Sequence, residues 1–163
     1  VKAITVRQPW AWAIIHAGKD VENRSRNVAG DYRGPLAIHS SGRKSDDPQY
    51  VRDAVDRMAD RGLPRKDDIT DLSTFIGDGS PLLVGCVLGV ADLIAVHTFH
   101  ECQTYRGGGV TQCCSPWGDA LDMDGRYMWH LVLANPRPLR LPLQIPGHLG
   151  LWELPDHLLN GRW

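Results

Sequence analysis

The stretch LLVGCVLGVADLIAVH, Leu82 to His97, is the longest apolar run in the chain, and whether it forms a strand or a helix decides the fold. Its many β-branched residues favour a strand, and Gly85 and Gly89 within it mark points where a strand bulges or bends. We therefore read one long, bent central strand.

Neighbouring segments supply its partners. Lys2 to Val6 alternates polar and apolar residues, the period of a strand with one buried face. Leu36 to Ser40 looks like a second strand, entered through the turn chemistry of Asn27 to Pro35 and ended by Ser40-Ser41-Gly42. Downstream, Arg126 to Ala134 and Arg137 to Leu143 read as two strands separated by Asn135-Pro136. Leu151 to Leu154 is a last short strand, with a terminal helical turn after it.

Trp10 to Ala17 is apolar nearly all round, which predicts a mostly buried helix with Pro9 in its first turn and Gly18 as its stop. Asp46 to Arg61 predicts a second helix, with Asp46 and Asp47 at its N-terminus and Tyr50, Val51, Ala54, Val55 and Met58 in one stripe. Arg65 to Gly79 reads as a polar insertion packed over the domain, with a helical turn around Leu72 to Ile76. Thr98 to Gly125, which carries Gly107-Gly108-Gly109, reads as a long irregular loop of functional or mobile character. The sum is a single α+β domain, residues 1–163, built as a small, mostly antiparallel β-barrel with two to three flanking helices.

Composition narrows the functional classes. With 42% hydrophobic and 23% charged residues, the chain is an ordinary globular one. A formal net charge of -1 argues against a whole-surface polyanion binder. Charge is uneven, however: residues 1–44 hold eight Lys/Arg against three Asp/Glu. No apolar run approaches the ~20 residues that span a bilayer, and the first residues lack the succession of a secretion signal, so a cytoplasmic location without membrane contact is expected. Cys86, Cys102, Cys113 and Cys114 are too sparse for a disulfide framework and read as reduced thiols.

The chemistry concentrates after the first helix. From Lys19 the chain alternates, placing Glu22, Arg24 and Arg26 on one face of an extended segment. Arginine offers a planar fork for phosphate or guanine, lysine a point charge, and glutamate an acceptor for a base amino group. The same four charges could instead form a structural ion-pair cluster. Trp10 could stack on an unpaired base or pack in the core, and Gln8 could meet a ligand or cap the helix. Ser40 and Lys44, at a strand end, could contact phosphate or stay solvated. His97, His100, Cys102 and Cys113 have the donor types of a tetrahedral zinc site, but their spacing matches no strong pattern, and no metal is expected.

In order along the chain, VRQPWA, AGKDVENR, YRGPLAIHSS, GCVLGVADLIAV, LVLANPRPL and LPLQIPG resemble the ASCH domain, a branch of the PUA-like β-barrels. Its diagnostic G-x-K-x-x-E-x-R segment is matched by Lys19, Glu22 and Arg24, with Ala17 in the glycine slot and Gly18 one place later. The arrangement looks closest to the ASCH domain at the C-terminus of a eukaryotic transcriptional coactivator. The resemblance implies a PUA-like barrel with a basic cleft around the KxxExR motif, binding RNA or DNA, single-stranded or with a modified base. It also implies an alternative, a small hydrolase of amidohydrolase or ribonuclease type acting on a modified nucleoside or RNA, with Lys19 and Glu22 as acid and base. Family members that hydrolyse acetylated cytidine carry a threonine where this chain has Glu22. Binding is therefore favoured over catalysis, with no cofactor expected. A protein-interaction module is the third class, which would need an exposed apolar patch.

Overall fold

The computed structural model describes residues 1–42, 54, 56–60, 83–106, 109–112, 114 and 116–163. The expected second helix is seen at 54 and 56–59, where Ala54 and Met58 are buried as their stripe requires. Its beginning, Lys44, the insertion over 65–79, Gly107-Gly108 and Cys113 lie outside the described residues.

Six strands form one curled half-barrel sheet in the order β2-β7-β4-β3-β1-β8. These are β1 (Lys2–Val6), β2 (Val21–Arg24), β3 (Gly34–Ser40), β4 (Cys86–Thr98), β7 (Trp129–Gln144) and β8 (Leu151–Glu153). Among the described residues only β1 and β3 pair in parallel. A separate hairpin joins β5 (Gln103–Arg106) to β6 (Gly109–Gln112). Helix α1 (Trp10–His16) packs on the sheet, and a one-turn helix, Phe99–Cys102, follows β4. The α+β class and the mostly antiparallel layout expected from the sequence are thus present. Among the described residues no helix is long and apolar enough to cross a membrane.

The central strand takes up the apolar run from Cys86 onward; Gly85, expected inside it, precedes it in the left-handed region at φ 68°, and Gly89 is the reason the strand bends. A Cβ at that position would lie 2.5 Å from the Arg137 carbonyl oxygen and 2.9 Å from Ile15 Cδ1, so only glycine lets β4 approach β7 and α1 this closely. Register shifts fall on both sides of it, between Val87 and Gly89 and between Val90 and Asp92. The bend lets one strand pair with β3 along its first half and with β7 along its whole length.

Two sequence expectations are corrected. Arg126 to Ala134 and Arg137 to Leu143 are not separate strands, because β7 runs unbroken from Trp129 to Gln144. Asn135 takes a left-handed conformation, φ 49°, and the turn chemistry of Asn135-Pro136 appears as a bulge opposite the bend in β4. Nor is Thr98 to Gly125 wholly irregular: it contains the one-turn helix and the β5–β6 hairpin. Glu101 caps that helix, its carboxylate accepting from Thr98 N at 2.6 Å and Thr98 Oγ1 at 2.9 Å.

Both faces of the sheet are buried. Ile4, Val6, Leu36, Ile38, Leu88, Leu93 and Leu131 pack against Ala11, Ile14 and Ile15 of α1. On the other face Ala3, Ala37, Val87, Val90, Leu139 and Leu143 meet Leu154 and Leu159 of the C-terminal segment, where a 3-10 turn spans Asp156–Leu159. A third cluster joins Ala13 and Val21 to Met58, Cys102, Cys114 and Trp117, and it forms the floor beside which the charged residues of β2 emerge.

Candidate functional site

Helix α1 ends at His16 with Ala17 as its C-cap, and Gly18 follows in the left-handed region at φ 69°, turning the chain so that Lys19 points back under the helix. Lys19 is only 4% exposed. Its ammonium donates to the Val21 carbonyl, lies 3.6 Å from Glu22 Oε2 and sits 5.7 Å from the Trp10 ring centre. Glu22 is buried and holds Arg24 through its other oxygen at 3.1 Å. Arg24 in turn donates to the Thr5 carbonyl at 2.7 Å, which ties β2 to β1 across the cleft. Burial pushes the Lys19 ammonium below the usual lysine range, against the opposing pull of Glu22 and Asp119.

These residues line a cleft of about 1100 Å³ whose walls also include Thr5, Arg7, Asn23, Arg57, Asp119 and His148. Four Lys/Arg side chains face it against two carboxylates, so it is locally basic although the whole chain is not. Arg24 Nε is buried and has no hydrogen-bond partner among the described residues. A buried donor without an acceptor is costly, so the arrangement favours an incoming acceptor group.

The expected residues do not all converge. Trp10, Lys19, Glu22 and Arg24 line the cleft together. Arg26 does not share their face, because β2 ends at Arg24 and Asn27 Oδ1 accepts from Ala29 N and Gly30 N in a turn that carries Arg26 into solvent. Gln8 is buried as a cap: its Oε1 accepts from Trp12 N at 3.0 Å and its Nε2 donates to the Leu83 carbonyl at 2.7 Å. Ser40 is fully buried and bonds Cys86 across β3 and β4, donating to its carbonyl at 3.0 Å and accepting from its N–H at 3.3 Å. Trp10 and Trp12 are both half-buried, Trp10 edge-on to Trp117 and Trp12 stacked on His16.

Sequence reasoning missed a second bracket of the cleft. Asn23 donates to the Trp117 carbonyl at 2.9 Å and to Asp119 Oδ2 at 3.0 Å, and accepts from Asp119 N at 3.0 Å. Asp119 also pairs with Arg57 at 2.6 Å, and Arg57 lies over the Trp10 ring at 6.0 Å. Nothing local in the sequence marks Arg57 or Asp119. Asn23 was also not singled out; its place inside the motif is the one signal that could have found it.

The histidine and cysteine donors regroup. His97, Cys102, Cys114 and His130 come together, with their ligand atoms all within 4.8 Å of one another. His100 instead is exposed and tilts against Tyr127.

No family model matches the chain, and no curated protein matches it. Among solved structures it is similar to the ASCH protein of Zymomonas mobilis, with a TM-score of 0.47 and 14% identity over 96% of this chain and 89% of that one. A point mutant of the same protein gives a TM-score of 0.49 and 13% identity, over 96% of this chain and 91% of that one.

Proposed function

We propose that the chain is an ASCH-type domain whose Lys19–Glu22–Arg24 cleft binds an unpaired nucleotide within single-stranded nucleic acid. The observation that carries this reading is the buried, unpartnered Arg24 Nε in a locally basic cleft. A volume of about 1100 Å³ suits one base with its sugar and phosphate rather than a duplex. Arg24 and Arg7 supply phosphate donors, and Trp10 supplies an aromatic surface beside them. Glu22 is committed to Lys19 and Arg24, so it orients the donors rather than reading the base.

Anisotropy titrations of single- and double-stranded DNA and RNA at two salt concentrations test this. Single strands should bind with a shallow salt dependence, each phosphate contact contributing a slope of about 0.7 in log K against log salt. Arg7, exposed on the rim, is the first variant: Arg7→Glu should weaken binding about tenfold or more without loss of stability, the equivalent of ~1.4 kcal/mol. Failure of every polymer to bind at low salt refutes the proposal.

The lowered pKa of Lys19 favours a second reading, hydrolysis of a modified nucleoside with Lys19 as base, because a lysine serves as base only when its environment disfavours the charged form. Monitoring acetylated and unmodified nucleosides in the same samples separates the two. Turnover without polymer binding reverses their order.

A further inference from the structure

We propose that His97, Cys102, Cys114 and His130 form a structural zinc site that braces the wall of the cleft. The four come from separate parts of the chain. His97 and His130 face each other as a cross-strand pair of β4 and β7, Cys102 ends the one-turn helix, and Cys114 follows the β5–β6 hairpin. His97 Nε2 lies 3.2 Å from Cys114 Sγ, and all four ligand atoms lie within 4.8 Å of one another. Bonds of about 2.0–2.1 Å to nitrogen and 2.3 Å to sulfur place tetrahedral ligands ~3.3–3.8 Å apart, so contraction by about an ångström closes the site.

His130 carries the second, independent signal. It is fully buried, and its Nε2 lies 2.9 Å from the Asp119 carbonyl, which can only accept. That bond puts the ring proton on Nε2 and leaves a lone pair on Nδ1. Nδ1 is buried without a hydrogen-bond partner among the described residues, and His130 is a member of the four-donor cluster. A ring oriented by a backbone carbonyl on one nitrogen and free to ligate with the other is how metal-bound histidines are held.

Two thiolates and two neutral imidazoles balance the charge of a divalent zinc ion, which suits a buried position. Binding releases the two thiol protons to solvent. Four protein ligands leave no open coordination position, so the site is structural rather than catalytic. Its surroundings are closely packed: a Cβ on Gly118 would lie 2.7 Å from His130 Cε1 and 2.9 Å from Cys114 Cβ.

The consequence reaches the cleft. The ion ties the segment bearing Cys114 to the ends of β4 and β7. The same segment presents the Trp117 carbonyl and Asp119 to Asn23, and His130 holds the Asp119 carbonyl.

The test begins with elemental analysis of protein purified without a tag or chelator. One zinc per chain is expected, falling to near zero in the Cys102→Ser, Cys114→Ser double variant. Because the double variant loses two buried side chains and its folding is at stake, wild-type protein stripped by a chelator under reducing conditions is also titrated with cobalt(II). Saturation at one equivalent, with visible ligand-field bands of a tetrahedral ion and thiolate-to-cobalt charge transfer, supports the site, as does loss of both signals when zinc is added back. Either of two results overturns it: no thiolate charge transfer in the wild type, or a Cys102–Cys114 disulfide in metal-free protein purified under reducing conditions.

Discussion

Replacing Glu22 by glutamine removes one charge while keeping the size and most of the hydrogen-bonding shape of the side chain. The structure makes this an unequal cut. Lys19, 4% exposed, loses its nearest counter-charge at 3.6 Å, whereas Arg24 is partly exposed and keeps the Thr5 carbonyl. Breaking a buried pair from one side costs about 3–5 kcal/mol because the remaining charge stays buried. The Val21 carbonyl and the field of Asp119 still act on Lys19, so we expect the lower end, ~3 kcal/mol. At about 2–4 °C per kcal/mol for a chain of this size, the thermal midpoint should fall by about 6–12 °C.

The loss should also depend on pH in a defined direction. Burial lowers the folded-state pKa of Lys19 below the ordinary lysine value of 10.5, so between the two values the unfolded chain binds more protons and stability rises with pH. Removing Glu22 removes an interaction that raises the pKa, widening that window downward. Urea unfolding of wild type and Glu22→Gln should therefore show a deficit that is largest near neutrality and shrinks towards alkaline pH. Lys19→Met should cost much less, within about 1 kcal/mol, since it replaces a buried charge by an apolar group of similar length and leaves Glu22 paired with Arg24. Equal losses for the two variants, or a Glu22→Gln deficit independent of pH, would refute the electrostatic account of this site.

Gly89→Ala should destabilise by about 1–3 kcal/mol or more, because the new methyl meets the Arg137 backbone rather than a movable side-chain tip; a neutral effect in chemical denaturation would remove Gly89 as the cause of the bend in β4. His39 is buried, its Nε2 bonded to the Ile145 carbonyl at 2.8 Å, and burial lowers its pKa from 6.5. The unfolded chain then takes up a proton first as pH falls, so stability should decline below about pH 6.5, and His39→Gln should flatten that decline in urea titrations; an unchanged slope would show that His39 does not carry it.

Much of the fold was legible because it rests on local patterns. Alternation in Lys2–Val6, the glycine-interrupted run that became β4 and the Gly18 stop of α1 each act within a few residues, and each appears where it was read. The errors share a cause as well. Asn135-Pro136 is strong turn chemistry, yet β4 pairs with β7 on both sides of it and absorbs it as a bulge. A long segment expected to be irregular holds a capped helix turn and a hairpin, whose pairing a hydrophobic period does not reveal.

The site divides along the same line. The sequence alone determined that Lys19, Glu22 and Arg24 would share a location, because they lie within six residues on one turn and one strand. Tertiary structure alone decided what surrounds them: Asp119 and Arg57 on the opposite wall, and Gln8 and Ser40 turned to structural bonds. It also brought Cys114 and His130 to His97 and Cys102 in the donor cluster and turned His100 to Tyr127. The physical reason is that strand pairing across a bent sheet sets these neighbours. His97 and His130 are 33 residues apart in the chain and directly opposite in the ladder. Spacing along the sequence carries no trace of a contact made by register.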